Sequence, residues 1–147
     1  MKTSTMQRMI IAAFTVGASA SAIADPEPKS CSESLVHGTY GIQMQGTNLA
    51  PGGSPQNVIG VVVRYYDGHG GITQFDNIKG SITGLVPNRF GTGTYQVNED
   101  CTVDMLFQPA PGVLIQEKAV IVDNGQELRS ITVLPVTTMV TAVHRRI

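Results

Sequence analysis

No tryptophan occurs in this chain of 147 residues, aromatic side chains are few, and no apolar run approaches the roughly 20 residues that cross a bilayer as a helix. The longest such run, Met9 to Val16, is too short for a membrane anchor. There is no surplus of basic residues either, and the closing pair Arg145-Arg146 is too brief to make a cationic face. That excludes a nucleic-acid partner and stable insertion into, or adhesion to, an anionic membrane. The familiar catalytic signatures are also missing: no Gly-x-Ser-x-Gly, no Gly-x-x-x-x-Gly-Lys, no His-Glu-x-x-His and no EF-hand loop. The three histidines and two cysteines show no clustered ligand spacing, so neither a metal nor any other cofactor is expected.

What the chain does have begins with an export signal. Lys2 and Arg8 precede the apolar stretch, and Ala22-Ile23-Ala24 supplies small residues for cleavage, so residues 1–24 are expected to be a signal peptide. Pro28-Lys29-Ser30 ahead of Cys31 is a poor lipid-attachment site. The mature chain is expected in the periplasm or outside the cell. Removing Lys2 and Arg8 from 10 basic residues leaves 8 against 11 acidic ones, a mature balance of −3. Both cysteines, Cys31 and Cys101, lie beyond the cleavage site, and an even count in an oxidising compartment reads as a disulfide.

Residues 25–34 carry no apolar periodicity and read as a flexible mature N-terminus. From Leu35 onward the chain is a series of short β-prone runs separated by turn chemistry, a domain of residues 35–147. The expected strands are 35–46, 58–67, 72–79, 89–98, 101–108, 113–122, 127–134 and 137–146, with a loop over 48–57 and turns at 67–71, 84–88, 98–100, 109–112 and 123–126. Gly91 and Gly93 suit a strand that bends or passes close to another backbone. Eight strands joined by short turns pair with their sequence neighbours and close edge to edge, predicting an all-β, antiparallel up-and-down barrel. The alternative is a β-sandwich, which the absence of tryptophan and the local connections disfavour.

Gly38-Thr39-Tyr40 is similar to the Gly-x-Trp opening of the calycins, the lipocalin and avidin superfamily, with Tyr in place of Trp. The resemblance implies that a basic side chain of the last strand, Arg145 or Arg146, packs on Tyr40. The wider pattern of Cys31-Ser32, Gly38-Thr39-Tyr40, Asp67-Gly68-His69-Gly70, Gly91-Thr92-Gly93-Thr94-Tyr95 and Asp100-Cys101-Thr102 resembles a group of small exported bacterial proteins with barrels like those of lipocalins and allene oxide cyclases. Barrels of that kind host both binders and cyclases, so the resemblance speaks to fold more than to function.

Candidate site residues follow from which strand faces point inward. Glu117 shares a face with Val113, Ile115, Ala119 and Ile121; turned inward it is a candidate general acid or base, and turned outward, the commoner fate of a carboxylate, it is solvated. Cys101, Val103, Met105 and Phe107 form an inner set that leaves Asp104 in solvent. For 58–67 either face serves, one carrying Arg64 and Tyr66, the other Tyr65. Tyr40, Arg64, Tyr66 and Tyr95 are the candidate polar contacts of a bound ligand, against the plainer reading of the tyrosines as core aromatics. His69 is expected in a solvated turn, and His37 and His144 as surface imidazoles at the seam of first and last strands. The leading functional expectation is a binder of one small apolar or amphipathic molecule. A cyclase or isomerase using Glu117 and a tyrosine, and a filled structural barrel acting through its surface or as a homo-oligomer, are the alternatives.

Overall fold

The computed structural model describes residues 30–147; the expected signal peptide lies outside them. The chain forms eight strands: β1 (His37–Leu49), β2 (Pro55–Asp67), β3 (Gly71–Gly80), β4 (Gly84–Val97), β5 (Thr102–Ala110), β6 (Val113–Val122), β7 (Glu127–Leu134) and β8 (Met139–Arg146). Each pairs antiparallel with its sequence neighbour, and β8 returns to β1, so the sheet is a closed up-and-down barrel. No helix among the described residues is long and apolar enough to cross a membrane.

Period-two alternation sorts the side chains. On β2, Val58, Val62, Arg64 and Tyr66 are buried while Ile59, Val61, Val63 and Tyr65 stay half exposed or more on the outside, which settles the face that the apolar sequence left open. Several strands run longer than expected. β1 continues through Leu49, β2 starts at Pro55 and β4 starts at Gly84, so much of the expected 48–57 loop and all of 84–88 belong to the sheet. The extra residues sit at the barrel's rim, where pairing with a long neighbour outweighs the weak strand propensity of Asn, Gly and Pro.

Gly91 and Gly93 stand where β4 runs against β5: a Cβ on Gly93 would collide with the Leu106 carbonyl and Phe107, and one on Gly91 with Gln108 and Pro109. At Asp67–Gly71 the turn is held by the Asp67 carboxylate, whose Oδ1 accepts from the amides of His69 (2.7 Å) and Gly71 (2.8 Å). Those two amides hold the Asp67 carboxyl below its usual range.

Because the connections alternate, the β2–β3, β4–β5 and β6–β7 turns share one end of the barrel with the start of β1 and the end of β8. That end is plugged. Glu33 and Ser34, expected in the flexible N-terminus, and Leu35, expected to open the first strand, form a single 3-10 turn, and Val36 behind it is fully buried. Tyr95 donates its hydroxyl to the Val36 carbonyl (2.6 Å), and Tyr40 donates to the Gly125 carbonyl. The Arg146 guanidinium lies 5.4 Å from the Tyr40 ring centre and donates to the Leu35 carbonyl (2.8 Å) and the Tyr40 hydroxyl (3.0 Å). The basic residue on Tyr40 is therefore Arg146, while Arg145 points outward to Glu127.

The Cys31–Cys101 disulfide joins this plug to the start of β5, with Cα atoms 5.1 Å apart and 70 residues of separation. A loop of that size is worth roughly 4 kcal/mol in the chain-entropy model. Cys31→Ser is therefore expected to lower the thermal midpoint by several degrees or more, measured by circular dichroism at matched pH. Equal midpoints for variant and parent would refute the role of the bridge as a clasp.

Candidate functional site

The other end of the barrel, ringed by the β1–β2, β3–β4, β5–β6 and β7–β8 turns, opens into a cavity of about 260 Å³. Its walls are mostly aliphatic, with Ile42, Val58, Val62, Ile115, Val140 and Ala142 facing one another, and Phe107 closing one side. Pro109, Val113, Pro135 and Thr138 form the rim. Register shifts between β3 and β4 at Asp76/Ile78, between β5 and β6 at Phe107/Ala110 and between β6 and β7 at Gln116/Glu117 all border this half of the barrel. Bulges of this kind re-aim side chains near sites.

Beneath the apolar walls lies a polar floor. Arg64 of β2 is 2% exposed and Glu117 of β6 is 7% exposed, and Arg64 Nη1 donates to Glu117 Oε2 at 3.1 Å. Glu117 thus points inward, opposite to the commoner fate of a strand carboxylate. Its orientation follows from register: Met105 pairs with Glu117, Val103 with Ala119 and Phe107 with Ile115, and paired residues share a face. Arg64 also donates from Nε to Gln74 Oε1 (2.8 Å) and from Nη1 to the Tyr66 hydroxyl (3.3 Å), and its guanidinium carbon lies 4.5 Å from the Phe107 ring centre. Burial alone would lower the Arg64 pKa, but Glu117 and Tyr66 outweigh it and hold the guanidinium above its ordinary value, fully charged.

The network continues in two directions. Toward the rim, Gln74 donates to Asp76 Oδ2 (3.0 Å), and Arg89 forks onto both Asp76 oxygens at 2.6 and 3.1 Å. Toward the plug, the Tyr66 hydroxyl meets His144 Nδ1 and Ser130 Oγ meets His144 Nε2, each at 3.0 Å. Burial pushes the Tyr66 phenol up to about 12, with Arg64 opposing. His144 is fully buried, not a surface imidazole, and it is not paired with His37, whose Nδ1 donates to the Ser34 carbonyl at 2.7 Å. Burial first, and the nearby Arg64 charge second, hold His144 well below its usual pKa.

Of the residues expected to give the cavity its polar contacts, Arg64 and Glu117 reach it. Tyr40, Tyr66 and Tyr95 do not line it. Tyr40 and Tyr95 belong to the plug and spend their hydroxyls there, and Tyr66 stacks edge-on between them, with ring centres 5.1 Å from each. Gln74, Asp76, Arg89 and Asn48 are lining residues the sequence reading passed over; the inward alternation of Gln74 and Asp76 with Ile72 and Ile78 was the available signal. Asp104 is on the outside, as expected, where Lys118 and Asn98 hold its carboxyl below the usual range. Among the described residues no group of three His, Cys, Asp or Glu could hold a metal ion. Comparison with protein families, with curated proteins and with solved structures returns no match, so the chemistry of the site rests on its geometry.

Two measurements test this network. Glu117→Gln leaves the Arg64 charge buried without its counter-ion and is expected to cost about 3–5 kcal/mol in urea unfolding, whereas Arg64→Met with Glu117→Leu should cost far less than the two single changes added. Additive losses would mean that the pair is not coupled. For His144 the folded pKa is depressed, so the unfolded chain takes up a proton first as pH falls below about 6.5. Stability is expected to be complete above that pH and to fall below it, with a slope approaching 1.4 kcal/mol per pH unit that His144→Gln flattens. An unchanged slope in the variant would refute the assignment.

Proposed function

We propose that this protein is an exported binder that holds one small apolar or amphipathic molecule inside its barrel. The observation that carries the reading is the cavity itself: about 260 Å³ of space, open at one end and walled by aliphatic side chains over a hydrogen-bonded polar floor. Concave, mostly apolar sites with a few fixed polar groups are the common form of small-molecule pockets, and burial of ligand area at about 25 cal/mol per Å² supplies the attraction. Export is supported by the N-terminal sequence and by the disulfide, which suits an oxidising compartment. The local packing of Arg146 on Tyr40 supports the likeness to calycin barrels.

A cyclase or isomerase is the second reading, favoured by the inward position of Glu117. Its ion pair with Arg64 counts against that role, because the carboxylate is already engaged by the guanidinium at 3.1 Å and not turned to a substrate. A filled structural barrel is disfavoured by the open cavity.

The binding reading is tested with the neutral fluorescent probe 1-naphthylamine, small enough for the cavity. Ala142→Phe and, independently, Val140→Phe fill the cavity and are expected to abolish the blue-shifted emission seen with the parent while far-ultraviolet circular dichroism is retained. A parent that gives no such emission, or folded variants that bind the probe as well as the parent, would overturn the reading.

A further inference from the structure

The floor and walls also say what sort of molecule fits, an inference that rests on the binding reading above. Every ionised group lining the cavity is already paired with one of opposite sign: Arg64 with Glu117 at 3.1 Å and Arg89 with Asp76 at 2.6 Å. Two cations and two anions leave no net charge to receive an ionic head group. Arg64 is in addition nearly sealed, 2% exposed with the Phe107 ring against its guanidinium. Moving a bare charge into such surroundings costs several kcal/mol that nothing here returns.

One lining group, by contrast, has an unmet need. Asn48 Oδ1, near the rim end of β1, is buried and accepts no hydrogen bond, alone in this among the described buried side chains. An unsatisfied buried acceptor costs about 1–3 kcal/mol, and a donor from the occupant, met when the Asn48 amide turns toward the cavity, removes that cost. At the packing density of protein interiors, near 0.75, a cavity of about 260 Å³ takes on the order of ten to a dozen non-hydrogen atoms.

We propose that the cavity is selective for an uncharged amphiphile of about that size, its tail against the aliphatic walls and a hydroxyl at its outer end donating to Asn48. A fatty carboxylate or an amine of equal length is rejected for want of a free counter-ion. An acceptor-only head group, such as a ketone, gains the tail's burial but leaves Asn48 unanswered.

The test is displacement of 1-naphthylamine from the parent protein at pH 8 by four ten-carbon compounds: 1-decanol, 2-decanone, decanoate and decylammonium. Decanol is expected to displace the probe at a concentration at least tenfold below decanoate and decylammonium, and severalfold below 2-decanone. Asn48→Leu, with Asn48→Ala as a second variant should leucine disturb the rim, is expected to erase the difference between alcohol and ketone, each read against that variant's own probe affinity. Decanoate or decylammonium matching decanol would overturn the proposal, as would an alcohol preference that survives both variants; in these cases the binding reading stands. No probe binding by the parent would remove the binding reading, and this proposal with it.

Discussion

The ion pair between Arg64 and Glu117 constrains more of this structure than any other contact. In a ring of eight strands β2 and β6 stand opposite one another, so the pair reaches across the interior instead of along the wall. Its net contribution to stability is small by the usual physics, because desolvation of both ions offsets most of their attraction. Its effect on specificity is another matter. A one-residue slip of β6 turns Glu117 out to solvent and leaves the Arg64 charge alone in the core, and a slip of β2 does the converse. Both strands carry apolar residues on each face, so hydrophobic alternation alone distinguishes their two faces weakly. The pair discriminates where the apolar pattern does not.

The same pair divides the barrel into two unlike halves. Below it, the chain's own groups consume every polar atom: Tyr66, His144 and Ser130 bond among themselves, and the hydroxyls of Tyr40 and Tyr95 go to backbone carbonyls of the plug. Above it, the polar groups also pair, through Gln74, Asp76 and Arg89, but along the wall, which leaves the axis free. The disulfide fastens the plugged end, remote from the cavity's mouth, so the clasp and the candidate site load different parts of the sheet.

Much of this architecture was legible in the residues. Short β-prone runs with Gly, Pro, Asn and Asp between them gave eight strands and a closed up-and-down barrel, because local turns leave little topological choice. The inner set Val103, Met105 and Phe107 was readable from its contrast with Thr102 and Asp104, while Cys101, expected to lead that set, stands in the turn before β5. The face of Glu117 was not, since Val113 to Val122 is apolar on both sides and only the pairing with β5 decides it. His144 was misplaced for a related reason: an imidazole is equally at home on a surface or in a core, and its burial depends on Tyr66, far off in sequence, and on Ser130 of the neighbouring strand. Tyr40 and Tyr95 looked like cavity residues because inwardness was readable but depth along the axis was not.

Depth along the axis is what creates the site. Eight strands give a barrel just wide enough to be filled by side chains or to hold one small ligand, so the outcome turns on side-chain size level by level. In the plugged half the inner positions are Tyr40, Tyr66, Tyr95, Met105 and Leu128, and the space is full. In the open half the facing positions include Val58, Val62, Val140 and Ala142, and the same circumference leaves a void. Arg64 and Glu117 lie at the level where large gives way to small. Long enough to meet across the axis, they close the filled half with polar groups and give the empty half its floor.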